Sequence, residues 1–413
     1  MTQDIRRRIH DIIAARHDEQ CAFLAKLVKI PSDNPPGDCA AHGRHAAEAR
    51  EGLGFTVERH PVPDQLVQDN GMISATNLVV RQRFAEGPVI ALNAHGDVVP
   101  PGEGWSVDPY GAEIRDGMMY GRGVAVSKSD FATYGFALLA LMDSGAKLAG
   151  TVELHFTYDE ETGGAIGPQW LLDEGISRPD YALSAGFSYG VVTHHNGCLH
   201  LEVEISGKSA HAARPDTGHD ALEAATTVLA ALYSERETYA DIHSEIDGID
   251  TPSLVVGLIE GGINTNVVPD GVRFRLDRRI NPEEDAGAVE DRLRSVINDA
   301  VTGHHGITCQ VRRIMLATPF QPIPGGEAMV EALARNAEAV LGEPIAAHGV
   351  PLYTDARLYA NAGVPTAIYG AGPHSLLEAN GHRADEKLRL DDLLAATEVV
   401  ALTLLDLLHD APS

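Results

Sequence analysis

Three short runs of this chain gather residue types suited to metal-ion and acid–base chemistry. The first is His95-Gly96-Asp97, directly after the apolar run Val89–Ala94. Such a run reads as a buried strand, and ligands of open α/β sheets collect at strand carboxyl ends. An imidazole that binds metal needs its second ring nitrogen held, which a carboxylate two residues away can do. The second run, Asp159-Glu160-Glu161-Thr162-Gly163-Gly164, ends another strand-like segment. Adjacent carboxylates repel, so burying them together takes a cation, a shared proton or solvent. With a cation, one Glu binds the ion while the other acts as general base on a water. With solvent alone, the run is an acidic loop. The third run, Gly381-His382-Arg383, supplies a late histidine that either completes a ligand set drawn from several strand ends or lies exposed in a loop.

The elements that must position these runs are read from periodicity. Apolar residues recur at helical spacing over Ile5–Ile30, and after Val89–Ala94 the segments alternate: helix over Ser127–Met142, strand over Thr151–Tyr158, helix over Ile166–Leu172, strand over Tyr181–Ser184. Repeated β-then-α units predict an α/β domain whose mostly parallel sheet is flanked by helices. From Leu199 the pattern changes to strict alternation, with strands over 199–205, Pro252–Gly257, Val272–Ile280 and Ile307–Ile314 and helices over Asp220–Tyr239 and Glu284–Ala300. Half-exposed strands with two helices make a compact α+β layer, so a smaller domain over 198–314 interrupts a catalytic domain formed by 1–197 and 315–413. The α/β pattern resumes with helices over Glu327–Leu341 and Leu390–Leu408 and a strand over Thr366–Tyr369.

Composition narrows the partners. The 413 residues exceed what one core usually supports, and 44% hydrophobic with 22% charged content is ordinary for a soluble enzyme. A net charge of −27 repels nucleic-acid phosphates, so no nucleic acid is expected. The longest apolar stretch, Phe131–Met142, is too short to span a bilayer, and the N-terminal residues are charged where a signal peptide is apolar, which predicts a cytoplasmic protein without a membrane partner. Cys21, Cys39, Cys198 and Cys309 are widely spaced and read as reduced residues without assigned chemistry.

Taken together, the three runs resemble the di-zinc aminoacylase and exopeptidase family that includes acetylornithine deacetylase, succinyl-diaminopimelate desuccinylase and bacterial glutamate carboxypeptidase. Further matches span nearly the whole chain: Pro31-Ser32-x-Asn34-Pro35-Pro36-Gly37-Asp38, Trp105-x-x-Asp108-Pro109, Asp116-Gly117-x-x-Tyr120-Gly121-Arg122-Gly123, Gly261-Gly262-x-x-Thr265-Asn266-Val267-Val268-Pro269-Asp270 and Thr354-Asp355-Ala356-Arg357. The resemblance implies a catalytic domain interrupted by a lid that forms a homodimer interface. It implies His95 as ligand of a first metal with Asp97 orienting it, Glu160 as general base, and Glu161 and His382 as ligands of a second metal. His211, in the run Gly207–His211, would stabilise the tetrahedral oxyanion from the partner subunit's lid. Asn266 and Arg279 would hold a small carboxylate-bearing substrate, the guanidinium fork of Arg279 suiting a carboxylate; a plain edge-strand salt bridge is the other reading of Arg279.

Two positions depart from that pattern. Where the family carries an Asp bridging both metals this chain has Val126, and where it carries a further Glu or Asp this chain has Gly186. Neither side chain offers a lone pair, so the first site keeps His95 alone and the second keeps Glu161 and His382, one short of the usual three protein ligands. Asp130, one helical turn beyond Val126, and His194 and His195, soon after Gly186, are candidate replacement ligands, as is Asp159 beside the Glu pair. The expected cofactor is a single divalent ion (zinc, manganese or cobalt) rather than two, with a metal-free enzyme left open. Three functions remain: hydrolysis of amide or related C–N bonds in N-acyl amino acids or peptide-like substrates, metal-poor acid–base catalysis such as isomerisation, elimination or deamination, and a non-catalytic binding role. In the second, Ser127 and Lys128 could pair as nucleophile and base.

Overall fold

The computed structural model describes residues 2–125 and 127–409. Its contacts divide the chain into two units, Met1–Thr193 with Pro322–His348 and Thr354–Ser413, and His194–Gln321 with Gly349–Tyr353.

The first unit is built on an eight-stranded sheet. At its centre Gly150–Thr157, Val89–His95, Tyr181–Ser184 and Thr366–Ile368 run parallel. These strands are buried along almost their whole length, as central parallel strands covered on both faces must be. The sheet is nonetheless mixed rather than mostly parallel. Val57–Pro61 and Thr76–Ala85 pair antiparallel on one side, and Val191–His195 pairs antiparallel with Thr366–Ile368 on the other. The second half of Thr76–Ala85, Arg81-Gln82-Arg83-Phe84-Ala85, is polar and partly exposed, so it carries no apolar run to announce a strand.

Helix Lys128–Asp143 is buried on nearly every side and packs with Thr2–Ala15, His17–Val28 and Leu390–Leu408. Its all-round apolar surface is what a helix enclosed by other elements requires. The predicted Ile5–Ile30 helix is two helices, Thr2–Ala15 and His17–Val28. A small antiparallel sheet of Glu113–Arg115, Met118–Tyr120 and Lys387–Arg389 completes the unit. No helix among the described residues is long and apolar enough to cross a membrane.

In the second unit an antiparallel sheet has the order Ser253–Gly261, Gly271–Ile280, Gly197–Ser206, Thr308–Ala317. Leu199, Leu201, Val203 and Ile205 face the core shared with helices Ala221–Glu237 and Ala286–Val301. Asp220 and Asp285 cap these helices by accepting backbone N–H bonds from Leu222 and Glu223, and from Ala288, which fixes where the helices start. The unit begins earlier and closes later than the 198–314 read from periodicity. Val191–His195 passes into Gly197–Ser206 through Asn196 alone, and His195 and Phe320 exchange backbone hydrogen bonds of 3.1 and 3.0 Å. The start carries no break in the strand pattern, whereas the Pro/Gly-rich run Pro322-Ile323-Pro324-Gly325-Gly326 follows the later boundary directly.

Candidate active site

His95 ends its strand in register with Thr157, so the His95 and Glu160 runs leave adjacent parallel strands at the same edge. Asp97 ties the two runs together. It is fully buried and accepts the backbone N–H of Glu160 at 3.3 Å, that of Glu161 at 3.1 Å and the Asn34 side-chain amide at 3.0 Å. Nδ1 of His95 lies 3.0 Å from the Asp97 carbonyl oxygen and 3.3 Å from its carboxylate. In the neutral ring an Nδ1–H held there would leave the lone pair on Nε2, which faces Glu160 Oε2 at 3.9 Å. His95, Glu160 and Glu161 offer three ligand atoms within 4.8 Å of one another.

His382 reaches the same group from the late loop, its Nε2 3.6 Å from Glu161 Oε1. Its backbone takes φ +60, a conformation uncommon for a residue with a Cβ, and its side chain is 54% exposed against 8% for His95. The tightest donor set is therefore His95 with both glutamates, and His382 sits at its rim.

The electrostatics describe a centre rich in buried negative charge. Burial pushes the Glu160 carboxyl up, opposed by the charge of His95. Burial and then Glu160 push Glu161 well above the carboxylate range. For His95, burial favours the neutral ring, but Glu160, Asp97 and Glu161 outweigh it and hold the pKa well above normal. Asp355, from the motif Thr354–Arg357, belongs here too. Neither of its buried oxygens has a hydrogen-bond partner among the described residues, and burial, then Glu160, raise it to about 7. A Cβ at Gly164 would stand 2.4 Å from Asp355 Oδ1, so this approach needs glycine, which also accommodates φ +73 there. Asp355 lies almost two hundred residues from Glu160, and sequence spacing offered no signal to join them.

The candidate replacement ligands are placed otherwise. Asp130 Oδ1 accepts the Ala371 N–H at 2.8 Å and its carboxylate also bonds the Gly186 backbone, so it ties two loops together and is outside the donor cluster. Burial raises it to about 7. Asp159 Oδ2 accepts the Ile166 N–H at 2.7 Å. His194 and His195 belong to the second unit, where His195 is buried with Nδ1 2.8 Å from the Asn196 carbonyl and burial lowers His194. Ser127 and Lys128 do not pair as nucleophile and base: Ser127 Oγ accepts the His95 N–H at 3.2 Å and the Lys128 ammonium donates to the Ile30 carbonyl at 3.1 Å. Gly186 has no room for a side chain, because a Cβ there would lie 2.3 Å from Ile368 Cγ2. Val126, the other departure, lies outside the described residues.

Within the second unit, His211 and Asn266 are neighbours. The Asn266 carbonyl accepts the Ala212 N–H at 3.0 Å, and both residues are exposed. They precede strand Gly271–Ile280, whereas Arg279 stands at its far end, roughly 27 Å along an extended chain. There Arg279 Nε donates to Asp277 Oδ1 at 3.0 Å. Beside that pair stands a cluster that sequence spacing did not announce: Cys198, His200 and Asp277.

The family model described as peptidase family M20/M25/M40 matches residues 91–406. The chain belongs to this family. A succinyl-diaminopimelate desuccinylase of Gluconacetobacter diazotrophicus is 28% identical over 387 residues, covering 91% of this chain and 93% of that protein. An M20 family metallo-carboxypeptidase from Sulfolobus solfataricus matches with TM-score 0.76 at 17% identity, covering 94% of this chain and 98% of its own. A dinuclear metal-binding M20 peptidase from Bacillus subtilis matches with TM-score 0.64 at 18% identity over 95% and 99%. The likeness to these structures shows the M20 fold, and membership makes this chain a peptidase-type hydrolase.

The residues present fit a divalent ion of the kind M20 enzymes use. Three donors converge, the imidazole is oriented by Asp97, and burial raises both carboxyl groups, a cost that a cation among them would offset. At Gly186 a Cβ would meet Ile368 Cγ2, and that position supplies no carboxylate.

Proposed function

We propose that this M20 member hydrolyses an amide or related C–N bond in a small carboxylate-bearing substrate, an N-acyl amino acid or short peptide, with Glu160 as general base. The observation that carries the reading is the convergence of His95, Glu160 and Glu161 at two adjacent strand ends above Asp97. A divalent ion held by His95 and Glu161, with His382 at the rim, would lower the pKa of a water and polarise the scissile carbonyl. The remaining steps belong to the chain. Asp97 keeps the His95 ring in place and, through the Glu160 and Glu161 N–H groups, fixes the turn that presents both carboxylates. Glu160 takes the proton of the attacking water and returns it to the leaving nitrogen. Its burial, which raises its pKa, suits it to hold that proton between the two transfers.

His211 would bind the developing oxyanion and Asn266 and Arg279 the substrate. Their separation along the insert supports His211 and Asn266 serving one site and Arg279 another in a homodimer joined through the lid. The edge strand Ser253–Gly261 supports that dimer, since Val255, Leu258 and Ile259 are more than half exposed on it. One ion per subunit rather than two is the stoichiometry this donor set supports. Four free cysteines accord with a reducing, cytoplasmic setting.

The test is turnover of a panel of N-succinyl and N-acetyl amino acids and dipeptides, including N-succinyl-diaminopimelate, by protein loaded with zinc, manganese or cobalt. Metal-dependent hydrolysis that falls about 10²–10⁴-fold in Glu160→Gln is expected. If no metal binds, or Glu160→Gln is as active as the parent, the reading fails and metal-free catalysis or simple binding takes its place.

A further inference from the structure

We propose that Cys198, His200 and Asp277 form a second metal site, in the inserted unit, that takes a zinc-like divalent ion through a thiolate. The strand geometry builds it. Cys198 and His200 are two residues apart on Gly197–Ser206 and so share a face, and Asp277 lies directly opposite His200 in the antiparallel register. Their ligand atoms meet at one point: Sγ to Nε2 is 3.2 Å, Sγ to Asp277 Oδ2 is 3.5 Å, and Nε2 to the same Oδ2 is 2.9 Å. Ligands around a tetrahedral ion with metal–sulfur bonds of about 2.3 Å and metal–nitrogen or –oxygen bonds of about 2.0–2.1 Å stand about 3.3–3.6 Å apart. The three atoms are within about half an ångström of that arrangement.

Hydrogen bonding alone serves the triangle poorly. It has three edges, while a thiol and a neutral imidazole protonated at Nε2 supply two hydrogens, so one close contact has none between its atoms. A cation at the centre satisfies all three lone pairs together, releasing the thiol proton, and the Nε2 proton where present, to solvent. Cys198 is fully buried, while His200 and Asp277 are 35% and 29% exposed, so an ion can reach the group from solvent. Arg279 holds the other Asp277 oxygen at 3.0 Å, orienting the carboxylate as an outer partner. Its positive charge opposes a cation, which points to modest affinity. A set of one sulfur, one nitrogen and one oxygen favours zinc, cobalt or cadmium over magnesium or calcium.

The site shares Arg279 with the proposed substrate contacts but none of the catalytic donors, and it is tested separately. Reduced, full-length protein is stripped with chelator, dialysed and titrated with Co²⁺ while thiolate-to-cobalt charge transfer is followed in the near ultraviolet, a band that His95, Glu160 and Glu161 cannot produce. The expected band saturates at one cobalt per chain, persists in Glu160→Gln/Glu161→Gln and disappears in Cys198→Ser. Asp277→Asn keeps the thiol and the side-chain shape, and is expected to weaken cobalt binding at least tenfold. Absence of the band in the parent, its survival in Cys198→Ser, or unchanged affinity in Asp277→Asn overturns the proposal.

Discussion

Replacing Gly186 by alanine adds one methyl group at the position where this chain departs from its family, and the structure sets the consequence. The new Cβ would stand 2.3 Å from Ile368 Cγ2, where ordinary carbon contacts are about 3.5–4.0 Å. Ile368 cannot swing aside cheaply, because it is wholly buried, β-branched, and fixed in parallel register with Ser184. Overpacking of this kind costs about 1–3 kcal/mol. Ile368→Ala alone leaves a cavity and costs about 2–5 kcal/mol, but it removes the colliding methyl. The double variant should therefore be more stable than the sum of the two singles by about 1–3 kcal/mol. Urea unfolding followed by tryptophan fluorescence reads this directly, since Trp105 and Trp170 both belong to the catalytic unit. Gly186→Glu begins with the same Cβ, so it should lose stability without gaining a second ion. Additive single-variant costs, or a Gly186→Glu protein that binds an extra ion at an unchanged unfolding midpoint, would refute the steric account.

Four further outcomes are expected. Glu386→Ala removes the partner of buried Arg122 at 2.7 Å and the acceptor for the Gly123 and Ala125 N–H groups, so urea unfolding should show a loss of about 3–5 kcal/mol. Burial pushes the Glu153 carboxyl up, but bonds and charges from His155, Ser177 and Arg81 bring it down to about 2 from 4.5; its stabilisation is full above about pH 4.5 and is lost as pH falls toward 2, a dependence that unfolding curves of Glu153→Gln should lack. Mixing subunits of His211→Ala with subunits of Glu160→Gln should recover part of the hydrolytic activity if the oxyanion histidine acts across a dimer, and no recovery rules that out. Ion binding at the His95 cluster should release protons near neutral pH, read by calorimetry in buffers of different ionisation enthalpy, and heats independent of buffer would contradict the raised pKa values of Glu161 and Asp355.

Much of the fold was legible because burial and period agreed. Tyr181–Ser184, Glu327–Leu341 and Leu390–Leu408 begin and end where their apolar patterns do. Thr76–Ala85 was missed because half of it faces outward with Arg81, Gln82 and Arg83, and a strand on the flank of a sheet does not need a continuous apolar run. At the site, local spacing was enough to suggest that Asp97 would steady His95, and parallel register then brought Glu160 beside them. Spacing could not supply what folding brings from afar. Asp355 enters the cluster from another loop, and Asp277 joins Cys198 and His200 only through the antiparallel register of two strands whose order no periodicity reveals. The spacing Cys198-x-His200 was visible, but without its third member it had no chemistry to offer.

The two departures from the family change which property of the site matters most. Around His95 the chain gathers several buried carboxyl groups whose pKa values burial raises. Burial raises the Glu160 carboxyl, and the nearby charge of His95 opposes that rise. A divalent ion held by His95 and Glu161 would offset the cost of burying these carboxylates and favour the ionised form of Glu160, in which it can act as a base. A single ion there would supply an electrophile and also favour the competent base, which gives a physical reason for Glu160, Glu161 and Asp97 to stand together beside His95.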